Sequence, residues 1–183
     1  SNFGPSHKWA TFPSVSLGWN ITNEPFMQNR PSQISALKLR GSWGLNGNES
    51  IGSFRYISTV TSGVGYILGP EGLNVIKPGV TPVAYPNDQL KWEQSEQYNV
   101  GLDAGFFGNS LTFTIDWFNK RTNGMLMTVP LPQYIGNSRP YGNVGDMMNI
   151  GVEMDIRYRF AKGDFNFEIG GNATYVKNRV IRL

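Results

Sequence analysis

Six stretches of the sequence alternate between apolar and polar side chains residue by residue, over about 12–21, 36–45, 90–106, 111–117, 150–160 and 164–176. Successive side chains of a β-strand point to opposite faces of a sheet, so this period of two predicts strands with one apolar face and one polar face. No stretch has a convincing helical period, and the chain is therefore expected to be all-β. The apolar series are Val15, Leu17, Trp19 and Ile21; Leu37, Leu39, Trp43 and Leu45; Tyr98, Val100, Leu102, Ala104 and Phe106; Leu111, Phe113, Ile115 and Trp117; Ile150, Val152, Met154, Ile156, Tyr158 and Phe160; and Phe165, Phe167, Ile169 and Tyr175.

Strand length and the placement of aromatic residues distinguish between two all-β folds. A soluble β-sandwich also produces alternation, so the pattern alone does not decide. The predicted strands are about ten residues long, which is the length that a tilted crossing of the hydrocarbon layer needs. Aromatic residues lie near the ends of the apolar series, where a membrane barrel has its interfacial girdles. Both features favour an antiparallel transmembrane β-barrel over the sandwich.

The connections between the predicted strands alternate between short and long. Tight hairpins are expected at 107–110 and 161–164, and 22–35 forms a somewhat longer turn. The other two connections, 46–89 and 124–148, are long. Outer-membrane barrels have this rhythm, with short turns on the periplasmic side and long loops outside the cell. Six strands cannot close a membrane barrel, which needs about eight, so the chain is expected to be a segment of a larger one.

The polar faces of the strands would line the lumen of such a barrel. Glu153 and Asp155, about 7 Å apart along one strand, have the composition of a glycosidase pair. Arg157 and Arg159 continue the same face, and ion pairing with them would hold both carboxylates ionised, which suits a barrel wall better than a general acid. The residues predicted to face the lumen are Arg40, Asp103, Asp116, Glu153, Asp155 and Arg157.

Few residues are suited to catalysis or to metal binding. The chain has no cysteine, which excludes disulfides and thiolate metal sites, and His7 is its single histidine. A histidine-based triad and a multi-histidine metal site are therefore excluded. The formal net charge of +3 is spread along the chain, which gives little support to nucleic-acid binding. No catalytic residue, metal ligand or cofactor is predicted, and the chain is not expected to be an enzyme.

The long connections combine aromatic and cationic residues with several glycines. Aromatic rings beside hydrogen-bonding groups suit sugars or peptides, whose faces are part apolar and part polar. The equally weighted alternative is that these rings pack the loop onto itself. Long connections without regular structure are usually functional or disordered, which favours a contact role. The candidate contacts to a ligand or a lid are Phe54, Arg55, Tyr56, Tyr66, Tyr85, Tyr134 and Arg139.

Particular residues along the strands resemble the SusC/RagA-type TonB-dependent outer-membrane transporters of the Bacteroidota. The matching stretches follow the family's order over nearly the whole chain, which makes the resemblance specific. They are Phe12–Ile21 (FPSVSLGWNI), Asn23–Met27 (NEPFM), Leu37–Gly44 (LKLRGSWG) leading into Asn46–Asn48 (NGN), Leu90–Glu93 (LKWE), Glu96–Asp103 (EQYNVGLD), Asp116–Thr122 (DWFNKRT) and Asn143–Met147 (NVGDM).

The resemblance implies more than the strand pattern does. Such transporters have a barrel of about 22 strands with a plugged lumen, and a surface lipoprotein of the SusD type caps it. They import oligosaccharides or peptides actively, driven through TonB by the inner-membrane proton gradient. The matching residues belong to the C-terminal half of the barrel, so residues 1–183 are expected to form one partial barrel domain without a plug. The implied partners are the SusD-like lipoprotein, the TonB complex (through N-terminal parts missing here), outer-membrane lipid and the cargo.

Two other functions remain open at this point. A passive porin or a siderophore receptor would have a similar barrel, and a plug domain upstream would separate an importer from a porin. A soluble carbohydrate-binding β-sandwich would bury its apolar faces against each other. The barrel instead predicts that Leu39, Leu102, Ile115, Val152 and Phe167 are largely exposed in this chain alone.

Overall fold

The computed structural model describes residues 2–53, 55–68, 75–82, 86–130, 132 and 138–183. In this part the chain forms β-strands and three short 3-10 helices (Pro5–His7, Ile21–Asn23 and Pro25–Met27). No helix of the described residues is long and apolar enough to cross a membrane. The strands are β1 (Ser14–Asn20), β2 (Ile34–Asn48), β3 (Val60–Leu68), β4 (Val75–Pro82), β5 (Glu93–Phe106), β6 (Leu111–Asn123), β7 (Leu126–Thr128), β8 (Tyr141–Asn143), β9 (Asp146–Lys162) and β10 (Phe165–Arg182).

The six alternating stretches form one six-stranded sheet in the order β1-β2-β5-β6-β9-β10. Each of these strands therefore lies beside the next one of the six along the chain, which confirms the predicted antiparallel all-β fold. Several strands extend beyond the alternating stretches, since β2 runs from Ile34 to Asn48 and β10 continues to Arg182. All six belong mainly to one compact unit, the sheet unit, which comprises Phe12–Asn46, Gln94–Asn123 and Asp146–Leu183.

The register keeps apolar residues beside apolar residues across the sheet. Leu102 of β5 pairs with Ile115 of β6, which pairs in turn with Met154 of β9. One residue further along, Gly101 pairs with Asp116 and Asp116 with Glu153. Because a slip of one residue would exchange the two faces on one strand only, the two-sided pattern fixes this register.

The short connections are tight turns that also contact each other. Between β5 and β6, Phe107 and Asn109 have φ values of 53° and 64°. The Ser35 hydroxyl accepts hydrogen bonds from the backbone N–H of Gly108 (2.6 Å) and of Asn109 (3.3 Å), which joins this turn to the start of β2. Between β9 and β10 only Gly163 and Asp164 remain, a tighter hairpin than the predicted 161–164, and Gly163 has the positive φ (60°) that a two-residue hairpin requires.

Among the residues that the structure describes, none forms a protein core over the apolar face of the sheet. The predicted exposure holds for Leu39 (39%) and Phe167 (46%). It is wrong for Leu102, Ile115 and Val152, which are half-buried in the middle of the sheet. In the described part of the sheet unit, Ala104 is the single buried hydrophobic residue. A β-sandwich would bury these side chains against a second sheet, so the sandwich alternative is not supported.

The long connections contain regular structure that the alternation did not predict. β3 and β4 pair as an antiparallel hairpin, and β7 pairs with β8. With the N-terminal residues up to Thr11, these connections form a second compact unit, the loop unit, which includes Gly47–Glu93 and Gly124–Gly145. This unit has its own small core of Phe3, Ile51 and Leu90.

Candidate functional site

One arginine joins three strands on the polar face of the sheet. Arg40 of β2 donates from Nε and Nη2 to the two carboxylate oxygens of Asp103 on β5, at 2.7 and 3.0 Å. The same Nη2 donates to Oδ2 of Asp116 on β6, at 3.0 Å. This fork geometry matches a planar guanidinium to a carboxylate with two parallel hydrogen bonds. Three of the six predicted lumen-facing residues are thus brought together in one network.

Gly101 has no side chain, and the guanidinium of Arg40 occupies the space over β5 that a side chain would fill. A Cβ atom at this position would lie 2.8 Å from Arg40 Nη2 and would also collide with Oδ1 of Asp116. Gly101 pairs with Asp116 in the register and lies two residues before Asp103 on the same strand face. Any side chain here would therefore separate the arginine from one or both carboxylates.

The rest of the polar face continues the pattern of hydrogen bonds and ion pairs. Thr114 donates to Asp103 (3.2 Å), and Asn99 donates to Ser42 (3.1 Å). Asp155 pairs with Arg157 at 3.1 Å, and Arg159 pairs with Glu168 at 2.8 Å. Two open cavities of about 310 and 400 Å³ lie on this face, and their shared lining residues are Arg40, Ser42, Asn99 and Asp116.

The carboxylates on this face are arranged for hydration and charge pairing. Asp103 and Asp116 retain 36% and 27% of their side-chain exposure, and both are held by Arg40. Asp155, half of the glycosidase-like pair considered above, is engaged by Arg157. The result is a polar, ion-paired surface, which we call the polar wall.

Glu96 is a charged residue on the apolar face that the sequence analysis missed. Its Oε1 accepts hydrogen bonds from Trp43 Nε1 (2.9 Å) and from the Tyr98 hydroxyl (2.8 Å). Extending the series Tyr98, Val100 and Leu102 backwards by two residues would have placed Glu96 on that face. At the other end of the sheet, Trp19 Nε1 donates to Glu24 Oε1 at 2.9 Å. A tryptophan whose ring is in apolar surroundings and whose N–H donates a hydrogen bond is typical of membrane interfaces.

The loop unit is built around residues that are distant in the sequence. Phe3 and Leu90 are fully buried and Ile51 nearly so, with Tyr56, Trp92, Leu126 and Tyr141 packed against them. Trp92 lies 5.3 Å from the ring of Phe3 and donates from Nε1 to the carbonyl of His7 at 3.0 Å. This core anchors the N-terminal segment to both long connections.

Asn143 makes three side-chain hydrogen bonds, and two of them join the two long connections. Its amide donates to the carbonyl of Lys91 (2.8 Å) and to that of Gly124 (2.9 Å). Its Oδ1 accepts from the backbone N–H of Lys91 (3.0 Å). Glu93 adds a further link, since it accepts from the N–H of Leu126 (3.0 Å). The sequence analysis named Asn143 only as part of a stretch that resembles the family, because its hydrogen bonds depend on a pairing between two loops.

The predicted contact residues of the loops fall into different environments. Arg55 is exposed and its guanidinium lies 5.3 Å from the ring centroid of Tyr141, a cation–π geometry. Tyr56 packs against the small core, as the loop-packing alternative requires, and Arg139 is exposed. Tyr66 lies in β3, and its side chain is outside the described part. Phe54, Tyr85 and Tyr134 lie outside the described residues.

Six antiparallel strands with an apolar face over no core and an ion-paired polar face define a segment of a transmembrane β-barrel. The chain belongs to the family of TonB-dependent receptor-like β-barrels, whose family model matches residues 1–181. It is 34% identical over 184 residues to TonB-dependent receptor P3 of Formosa agariphila, and 33% identical over 186 residues to TonB-dependent receptor SusC of Bacteroides thetaiotaomicron. Both alignments cover 100% of this chain and 18% of the relative.

Solved structures of RagAB are also similar to this chain over its whole length. The RagAB peptide transporter superimposes with a TM-score of 0.85 at 30% sequence identity, covering 100% of this chain and 19% of that one. The RagAB peptide importer in its closed-closed state superimposes with a TM-score of 0.86, also at 30% identity and with the same coverage. The chain therefore spans about a fifth of the length of the proteins it matches.

Proposed function

We propose that this chain is part of the barrel of a TonB-dependent active importer in the outer membrane, working with a SusD-like surface lipoprotein. The observation that carries the proposal is that similarity to SusC and to RagAB runs along the entire chain. The cargo is a peptide or an oligosaccharide, and a peptide is favoured by the similarity to the RagAB peptide transporter. The other class of candidate, a passive porin or siderophore receptor, is not favoured by the similarity to SusC and RagAB.

In this proposal the polar face of the sheet is part of the wall of the transport path. Arg40, Asp103 and Asp116 present a hydrated, ion-paired surface. Glu153, Asp155 and Arg157 continue this wall along β9. A peptide or a sugar can exchange hydrogen bonds with such a surface without entering a deep, specific pocket. Weak, exchangeable contacts of this kind are compatible with movement of the cargo through the barrel.

The loop unit would face the outside of the cell and contact the lid lipoprotein, the cargo or both. Long connections of outer-membrane barrels are extracellular. The exposed side chains of Arg55 and Arg139 offer charge and hydrogen bonding at this surface. Phe54, Tyr66, Tyr85 and Tyr134 remain predicted contacts in the same loops.

The first experiment tests import and its energy source. The full-length gene is disrupted in its host, and uptake of labelled oligopeptides and oligosaccharides is measured with and without a proton-gradient uncoupler. We expect the mutant to lose uptake of one of the two classes, and the uncoupler to abolish the same uptake in the wild type. Uptake that persists after uncoupling would contradict active import and favour a porin.

The second experiment tests the contact role of the loop unit. Residues 60–82 are replaced by a short glycine-containing turn in the full-length transporter, which leaves Ile51, Tyr56 and Leu90 in place. We expect normal amounts of folded barrel, because the strands of the sheet unit are untouched, but reduced lipoprotein co-purification and uptake. If both stay at wild-type values, the β3–β4 hairpin is only a cover and the assignment is withdrawn.

A further inference from the structure

Three cations lie together on the apolar face of the sheet, at the end from which the long connections depart. Arg121 of β6 and Arg179 of β10 both pair in register with Met148 of β9, so the three residues form one row across the sheet. In the next row, Lys177 of β10 pairs with Ile150. The side chains of Arg121, Lys177 and Arg179 are exposed. We call these three residues the cationic rim.

The strand period places the cationic rim on the face opposite to the polar wall. Arg121 lies four residues after Trp117 on β6, and Lys177 and Arg179 lie two and four residues after Tyr175 on β10. Side chains at i, i+2 and i+4 share a face, so the rim continues the apolar face. Lys120, one residue from Arg121, instead lines the cavity that contains Arg40 and Asp116.

The height of the rim corresponds to the edge of a membrane. Along β9, the strand rises about 33 Å from Phe160 to the row of Lys177 and about 40 Å to the row of Arg121. At a strand tilt of ~40° these distances are roughly 25 and 30 Å along the membrane normal, against an apolar band of about 25 Å. The row just below, formed by Trp117, Val152 and Tyr175, has the aromatic residues of an interfacial girdle.

The charge of this region is positive. Among the described residues, the acids on this part of the same face are Glu96 and Asp146. Glu96 pairs in register with Arg121 and accepts hydrogen bonds from Trp43 and Tyr98, and Asp146 pairs with Arg182 at 3.3 Å. Four cations (Arg121, Lys177, Arg179 and Arg182) therefore stand against two acids. Arg121 donates from Nε to Asn123 Oδ1 at 2.9 Å, which orients its guanidinium along the strand. Met148 lies between Arg121 and Arg179, and Ile150 lies beside Lys177, so both supply apolar surface next to the cations.

We propose that the cationic rim binds the phosphate groups of the phosphorylated glycolipid in the outer leaflet of the outer membrane. Arginine and lysine are the side chains suited to phosphate, and clusters of them at the membrane surface recognise anionic headgroups. The alternation of cations with Met148 and Ile150 fits a ligand whose phosphates sit above acyl chains. Cargo is a less suitable occupant, because the rim faces away from the polar wall. The inference rests on the outer-membrane location in the proposed function.

The test is a titration of the purified full-length barrel in detergent with diphosphorylated lipid A and with the same lipid A after its phosphates are removed. The variant Arg121→Gln/Lys177→Gln/Arg179→Gln is compared with the wild type. We expect the variant to bind diphosphorylated lipid A roughly 100-fold more weakly, from about 5-fold for each charge removed. The dephosphorylated lipid should bind both proteins equally weakly, and salt should weaken wild-type binding of the phosphorylated lipid.

Two single variants serve as matched controls. Lys120→Gln removes a cation at the same height on the opposite face, and Lys162→Gln removes one on the apolar face at the opposite end of the sheet. Both should bind diphosphorylated lipid A like the wild type. Heat-modifiable gel mobility checks that every variant is folded. If the triple variant does not fold, the three single rim variants are tested in its place.

Other outcomes overturn the inference. Equal binding of the two lipids by the wild type, or unchanged binding by the rim variants, would show that the rim does not recognise phosphate. Loss of lipoprotein co-purification with unchanged lipid binding would assign the rim to the lid instead. Failure of the proposed function is seen separately: membrane fractionation and uptake report on location and import, whereas the lipid titration does not depend on transport.

Discussion

Arg40 shows how a charged residue is used in the wall of this barrel segment. Its ion pairs with Asp103 and Asp116 are short, but all three side chains keep between 27% and 37% exposure. Ion pairs this open to solvent contribute little to stability, about 0–1 kcal/mol each. Their consequence is local order, since the ion pairs hold side chains from β2, β5 and β6 together on the polar face.

Substitution of Gly101 tests this arrangement. We expect Gly101→Val to lower the free energy of unfolding of the full-length barrel by about 1–3 kcal/mol, because the added side chain overlaps Arg40 and Asp116. Gly41→Val is the matched control, since a Cβ at Gly41 meets no atom within 4 Å. Urea unfolding of the barrel in lipid vesicles measures both. An equal loss in the two variants would show that the cost is one of strand conformation rather than of crowding at Gly101.

Ile115 tests which face of the sheet meets lipid. We expect Ile115→Arg to cost about 2–4 kcal/mol if the residue lies near the bilayer midplane, because a charge is then placed in hydrocarbon. Thr114→Arg is the control on the other face, where Asp103 and Asp155 pair with Thr114 in the register from either side. Folding yield in vesicles and urea midpoints report the difference. A smaller cost for Ile115→Arg than for Thr114→Arg would reverse the assignment of the faces.

The six strands of the sheet were predictable from the sequence because each is determined locally. Alternation defines the faces of β1, β2, β5, β6, β9 and β10, and turn residues define the hairpins. The strand ends were less well defined, since Glu96, Arg121 and Lys177 break the apolar series before β5, β6 and β10 reach the long connections or the end of the sheet. The ion pairs of Arg40 required the register between β2 and β5, which no local pattern contains.

The loop unit was not predictable for a different physical reason. Its core residues, Phe3, Ile51 and Leu90, are 48 and 39 residues apart along the chain and carry no common period. β3, β4, β7 and β8 lack the strict alternation of the sheet strands, so the long connections appeared irregular. Candidate contacts there were chosen by residue type alone, and residue type does not distinguish Tyr56, which packs inward, from the exposed Arg55.

Asn143 is the residue that tests whether the two long connections act as one element. We expect Asn143→Ala to destabilise the closed loop unit by roughly 2–3 kcal/mol, because three hydrogen bonds of about 1 kcal/mol each are lost. Limited proteolysis of the full-length barrel should then cut within 47–93 and 124–145 much faster, while the sheet stays protected. The control variant Asn46→Ala changes an exposed side chain and should be cleaved at the same rate as the wild type. Slow cleavage of Asn143→Ala would show that the small core alone holds the loops.

At the scale of the whole molecule, the sheet unit has exposed apolar surface on one face and unpaired backbone groups on both outer strands. Leu17 is 78% exposed, and β1 and β10 end the strand order of the described sheet. In the complete barrel, lipid would cover the face and neighbouring strands would pair with the edges. Separated from both, this surface promotes association, since exposed apolar patches and open strand edges each lead to aggregation.

Residues 1–183 expressed alone are therefore expected to form aggregates rather than a water-soluble monomer. Sedimentation velocity in detergent-free buffer should find no monodisperse 20.4 kDa species. A variant carrying Val15→Thr, Leu17→Thr, Phe167→Thr and Ile169→Thr keeps β-forming residues but makes the exposed face more polar. If the apolar face drives association, this variant should be more soluble than the parent; if the edges drive it, the two should aggregate alike. A monodisperse parent chain that melts cooperatively would contradict the barrel assignment itself, because such a chain would have to bury its apolar face within a closed protein core.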